Sequence, residues 1–237
     1  MVPQVYGIEH VLYLVITALL AGATLLLVKK SVKSQKGINL FLKILAILLL
    51  ISILANRLSQ VFRYDNVRWY AIIPDSFCGM DSLVLSLAVL FGKKDNNVLH
   101  FVWLVELFGG IATCVYPTFV SQNASFFYLP TISGLLHHSF TGMLVVALLM
   151  FKQIDITYKK WYCTLFGFTC YLTLGAFLMA TFPISDAFHI VEPLLPNTPL
   201  TAWVMGPIYA VVYAIILVAV EFFKRKRKTN TTQGEQL

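Results

Sequence analysis

Charge is scarce in this 237-residue chain: Asp, Glu, Lys and Arg make up 12% of it, against 58% hydrophobic residues. So little polar surface cannot cover a water-soluble globule of this size, which excludes a soluble enzyme and makes the bilayer the solvent. No polar stretch is left for a separate soluble domain, and neither an internal repeat nor a P-loop is present. The stretch Met1–His10 lacks the basic region of a cleavable signal, and the apolar run behind it is of spanning length, so it reads as a retained helix. The last apolar run has no lysine between Ala202 and Val220, which excludes a retinal Schiff base.

What is there is a succession of apolar runs of about 20 residues, the length that crosses a hydrocarbon core. They predict an all-α membrane protein, a single bundle of seven transmembrane helices. The spans fall near Gly7–Val28, Ile38–Phe62, Ile73–Phe91, Val98–Phe119, Thr131–Phe151, Trp161–Phe182 and Ala202–Phe223. The basic residues come in blocks at every second connection: Lys29 to Lys43, Lys93 and Lys94, Lys152 to Lys160, and Lys224 to Lys228. By the positive-inside rule those connections are cytoplasmic, which puts the N-terminus outside and the C-terminus inside. The domain organisation is then one polytopic helical domain over 1–223 and a basic, disordered cytoplasmic tail over 224–237. The formal charge of +7 follows from topology and from attraction to anionic lipid, with no warrant for nucleic-acid binding. Membrane lipids are the expected partners; no protein partner and no cofactor is indicated. Asn123 heads a sequon in an outer loop, which carries no weight alone.

Ionisable groups at membrane depth are expensive and mark either a functional site or a paired structural element. On the third span Cys78, Asp81, Ser82, Leu85 and Ser86 recur at the spacing that puts side chains on one helix face. The fourth repeats the pattern with Glu106, Gly109, Gly110, Thr113, Cys114 and Pro117, small residues allowing close approach. The fifth brings His137 and His138, with Thr141 one turn further in. Glu9, His10 and Tyr13 stand at the mouth of the first span, and Ser52, Asn56, Arg57 and Arg63 on the second. Arg57, Arg63 and Arg68 are the basic residues outside the cytoplasmic blocks, and they call for a partner. The segment "DAFHIVEPLL" after the sixth span predicts a short interfacial helix.

Each group has a plainer role open to it. Asp81 and Glu106 would serve equally to neutralise Arg57 or Arg63 in a buried ion pair. Cys78 and Cys114 would serve as a disulfide. Adjacent histidines point about 100° apart on a helix, so at most one of His137 and His138 addresses Cys78, and the other is expected to bond a neighbouring helix. A metal site from His10, His137, His138 and Asp81 is disfavoured, because no i, i+4 ligand pair occurs.

The stretches "IIPDSFCGMDSLVLSLAVL", "FVWLVELFGGIATCVYP" and "LLHHSFTGMLVVALLM" resemble the YwaF-like bacterial integral membrane proteins, from "IEH" in the first span to the last. In that family a Pro and a Cys open a central helix, matched by Pro74 and Cys78, and a His pair opens a later one, matched by His137 and His138. Ser76 stands where the family usually has a His. The fold is also similar to a eukaryotic TMEM-type phospholipid acyltransferase with a Cys at the position matching Cys78. The resemblance implies a multi-pass protein of the bacterial cell membrane and a lipid acyl substrate.

The function expected is a lipid-directed acyltransferase or acyl hydrolase in a polar cavity facing the outer leaflet. Cys78 is the candidate nucleophile, His137 or His138 the base, and Asp81 the orienting carboxylate. Asn56, Arg57, Glu106, His10 and Arg63 are candidate substrate-binding groups. Two other classes compete: a transporter using Asp81, Glu106 and the arginines, and a sensor or accessory subunit without catalysis.

Overall fold

The computed structural model describes residues 7–63, 67–117, 120 and 125–234. Asn123 with its sequon, and Phe119, the expected end of the fourth span, lie outside them. The described residues form seven α-helices and no strand: α1 (Ile8–Ser31), α2 (Gln35–Val61), α3 (Phe77–Phe91), α4 (Asn97–Val115), α5 (Leu129–Met150), α6 (Tyr162–Thr181) and α7 (Ala202–Gly234). Six of these are long and apolar enough to cross a membrane; α3, with 15 residues, is shorter. Packing divides the chain into two compact units, Met1–Ile154 and Asp155–Leu237.

Capping residues set the helix starts in the first unit. The Ser34 hydroxyl accepts from Gly37 N at 3.1 Å to open α2, and the Asn96 side chain accepts from Leu99 N at 3.1 Å to open α4. Two expected boundaries are corrected. The third span begins at Phe77 rather than Ile73, because a 3₁₀ turn at Trp69–Ile72 and then Pro74 precede Ser76, whose hydroxyl caps α3 by accepting from Gly79 N at 3.3 Å. The fourth helix ends at Val115, so Pro117 lies beyond it, where a ring that cannot continue a helix is tolerated.

In this unit α5 packs on α2 and α4, and α3 packs on the same two, closing a ring of four helices. The buried face of α2 follows helical periodicity through Leu42, Leu45, Leu49, Ser52, Ile53 and Asn56. By contrast, α1 buries only His10 and Leu25, and its apolar surface faces outward, as suits lipid. Close approach of α4 and α5 depends on Gly110: a Cβ there would lie 3.0 Å from the His138 carbonyl oxygen and 3.1 Å from Gly142 N.

In the second unit α6 and α7 flank a connection of turns. The expected interfacial helix over "DAFHIVEPLL" is absent; Phe188 and His189 adopt left-handed φ values of 54° and 55°, and prolines at 193, 196 and 199 interrupt the remainder of the connection. Instead Phe188 is buried and stacks on Tyr171 of α6 at 5.3 Å, while Trp203 Nε1 donates to the Ile190 carbonyl at 3.1 Å. Where the sequence sets the basic run at 224–228 outside the last span, α7 continues through it, and Lys224 pairs with Asp155 at 2.6 Å.

The two glycines at the α4–α5 contact separate packing from propensity. Gly110→Val is expected to lower the thermal midpoint in detergent by several degrees. Gly142→Ala, whose Cβ meets nothing within 4 Å, is expected to hold or raise it. Equal losses in a paired thermal-denaturation series would contradict that packing.

Candidate functional site

The polar face read from the third span points into the four-helix ring: Asp81, Ser82, Leu85 and Ser86 are all fully enclosed. Its centre is Ser82. The Ser82 hydroxyl donates to Glu106 Oε2 of α4 at 2.8 Å, meets Thr141 Oγ1 of α5 at 2.8 Å and meets His137 Nε2 of α5 at 2.9 Å. One side chain thus ties three helices together.

A hydroxyl has one proton to give and two lone pairs to accept with, so three partners saturate it. With that proton on the bond to Glu106, Thr141 and His137 must both donate to Ser82, which places a proton on Nε2 of His137. The opposite arrangement, with Glu106 protonated and donating, turns the Ser82 proton toward a bare Nε2. The two differ by moving one proton between His137 and Glu106 through Ser82, without bulk water.

Through its 2.9 Å contact with Ser82, the His137 ring meets α3 one helical turn after Cys78. The ring is therefore anchored on α3. His138 lies against it as a stacked ring, 4.3 Å between centroids and 19° between planes, and its Nδ1 has no hydrogen-bond partner among the described residues. Of the pair, His137 is the one that bonds a neighbouring helix, and His138 is the one with a ring nitrogen still open.

Cys78 is the second residue of α3, a half-buried thiol in the N-terminal turn. Its Sγ would lie 3.3 Å from a Cβ placed on Gly109 of α4, so the missing side chain there leaves the sulfur its space. Among the described residues no hydrogen bond joins this thiol to either histidine. The Asp81 carboxyl, on the next turn, is fully enclosed. The four cysteines are free thiols, and Cys114 faces Ser139 of α5 at 3.4 Å instead of Cys78.

The other candidates are placed around this core with different duties. Asn56 spends its amide N–H groups on the Pro130 carbonyl at 3.1 Å and Ser133 Oγ at 3.3 Å, fastening α2 to the first turn of α5. Arg57 is paired with Asp75 at 3.3 Å, in the loop before α3, and donates to Asn56 Oδ1 at 3.4 Å. The ion-pair alternative for Asp81 and Glu106 thus gives way, for Arg57, to a carboxylate that sequence reasoning passed over. Arg63 is exposed and donates to Gln60 Oε1 at 3.4 Å, away from the polar core. His10 is buried against the Cys114 carbonyl at 2.8 Å, and beside it Tyr13 meets Ser139 Oγ at 2.6 Å, so both join α1 to the far side of α4 and α5. Among the described residues no group of three His, Cys, Asp or Glu side chains is set to hold a metal ion.

Sequence reasoning put Ser82 and Thr141 on the polar stripes without giving them a role. The available signal was spacing: Ser82 is four residues from Cys78, and Thr141 four from His137.

Comparison with known families gives one result over nearly the whole chain. The TMEM164 family profile matches residues 5–223, and the chain belongs to that family. No curated protein and no solved structure matches.

Removing the hydroxyl in Ser82→Ala leaves enclosed polar groups unsatisfied and is expected to cost about 1–3 kcal/mol of unfolding free energy. A cycle of Ser82→Ala with Glu106→Leu, read by reversible unfolding in mixed micelles, should show coupling of about 0.5–3 kcal/mol. Strict additivity would mean that the two side chains act independently.

Proposed function

We propose that this TMEM164-family membrane protein is a lipid-directed, cysteine-dependent acyltransferase. The observation that carries the reading is the position of Cys78: a half-buried thiol on the first turn of α3, one helical turn from the Ser82 that meets His137, with His138 stacked on that ring. The N-terminal end of a helix favours negative charge, such as the oxyanion of a tetrahedral intermediate.

In this mechanism the thiol attacks the carbonyl carbon of a lipid ester, and its proton passes to a histidine. The open nitrogen makes His138 the base, while His137 holds the geometry through Ser82. The intermediate collapses by breaking the ester C–O bond, and the lysolipid alcohol leaves with the proton. The acyl group remains as a thioester on Cys78 until an acceptor hydroxyl, or water, attacks it. Arg57, paired with Asp75, lies at the rim, where it would meet a headgroup phosphate.

The likeness to YwaF-type proteins belongs to the same reading, as do a bacterial cell membrane, an external N-terminus and a cytoplasmic C-terminus. A carrier for a small polar or lipidic solute is the second reading, favoured by two enclosed carboxyl groups, Asp81 and Glu106, within the membrane helices.

Labelling of protein in nanodiscs with a lipid-like, thiol-directed acyl probe distinguishes them. Modification is expected at Cys78 and absent in Cys78→Ser, with the exposed Cys170 as background. His138→Ala is expected to slow it about 100-fold. A Cys78 that reacts no faster than Cys170 would transfer the weight to the carrier.

A further inference from the structure

A groove of about 360 Å³ opens at the other end of the four-helix ring, between the start of α2, the end of α3, the start of α4 and the end of α5. Its polar lining is Asn39, Lys43, Lys93, Lys94 and Gln153; beneath these lie Leu42, Val89 and Leu148. From Cys78 to Ala88 is ten residues of α3, so groove and thiol are separated by about 15 Å. The site described above therefore does not include it.

We infer that this groove binds the phosphate headgroup of one anionic phospholipid. The positive-inside rule asks for a count of basic residues in a connection and says nothing of where they meet. Here Lys43 comes from within α2, and Lys93 and Lys94 come from the α3–α4 connection, yet all three line one cavity. The other basic residues do not: Lys29, Lys30 and Lys33 lie at the end of α1 and beyond it. No acidic residue lines the groove. The nearest carboxylate in sequence, Asp95, is turned to the fully enclosed His100 at 2.7 Å.

The occupant is a lipid rather than a free anion because of what surrounds the lysines. The floor is apolar, and exposed apolar side chains stand next in sequence to lining residues: Leu40 beside Asn39, Ile44 beside Lys43, Phe91 beside Gly92 and Val98 beside Leu99. A diester phosphate with an acyl chain satisfies both parts, whereas a soluble phosphate satisfies only the rim. Gln153 is almost fully buried, its Nε2 donating to the Phe151 carbonyl at 2.9 Å, and its own carbonyl accepts from Asp95 N at 3.0 Å. These bonds hold the α5 end against the α3–α4 connection, so the lysines are carried on a fixed frame.

Native mass spectrometry of the full chain tests this, with phosphatidylglycerol and phosphatidylcholine of matched chains as probes. One phosphatidylglycerol is expected to be retained more tightly than phosphatidylcholine. Each lysine near an anionic headgroup contributes roughly fivefold, so Lys43→Gln/Lys93→Gln/Lys94→Gln should weaken phosphatidylglycerol at least about tenfold. The equal-charge control Lys29→Gln/Lys30→Gln/Lys33→Gln should leave it within about twofold. Equal losses in both triples would overturn the site in favour of diffuse surface charge, and equal retention of the two lipids would overturn recognition of an anionic headgroup. Displacement by glycerol 3-phosphate as effective as by phosphatidylglycerol would overturn the lipid assignment in favour of a soluble phosphate ligand.

Discussion

The first unit depends on the hydroxyl of Ser82. In a bilayer, helices gain nothing from hiding apolar surface from lipid, and their association rests on close packing and on polar groups that find one another. Ser82 meets a carboxylate on α4, a hydroxyl and an imidazole on α5, all within 2.9 Å. Other polar contacts repeat the principle at lower density: Asn56 fastens α2 to α5, and His10 fastens α1 to α4. The apolar contacts build on these, with Gly110 letting α5 approach α4.

The same bond set determines which chemistry is available. A histidine tied through Nε2 to a neighbouring helix is a strut, and a neighbour stacked upon it inherits its orientation without sharing its bond. His137 and His138, identical in sequence terms, are separated in this way by one hydroxyl. The thiol is placed by a different device, the Ser76 cap that starts α3 two residues before it.

Most of the architecture was legible as composition and period. Apolar runs locate the helices to within a few residues, except where local chemistry competes, Pro74 and Ser76 delaying α3 and α4 stopping before Pro117, and at α7, which continues past Phe223 through the basic run to Gly234. The "DAFHIVEPLL" segment has helical periodicity, but its backbone turns left-handed at Phe188 and His189, which amphipathicity does not register. For the site, periodicity picked out the right faces and could not rank the residues on them. Ser82 looks like any small polar residue until three helices are in place. Arg57 was expected to seek a buried carboxylate and found Asp75 in a loop, a pairing across 18 residues that no spacing rule contains.

The length of α3 has a geometric consequence. Its C-terminal end runs into Lys93 and Lys94, residues that hold to the aqueous boundary, and 15 residues rise about 22 Å where the hydrocarbon is about 30 Å thick. Set upright in such a bilayer, the opposite end, bearing Cys78, stops about 8 Å short of the far edge of the hydrocarbon. The remaining thickness falls to the segment before it, the turn at Trp69–Ile72 and the stretch through Pro74, whose backbone polar groups then need partners within the protein.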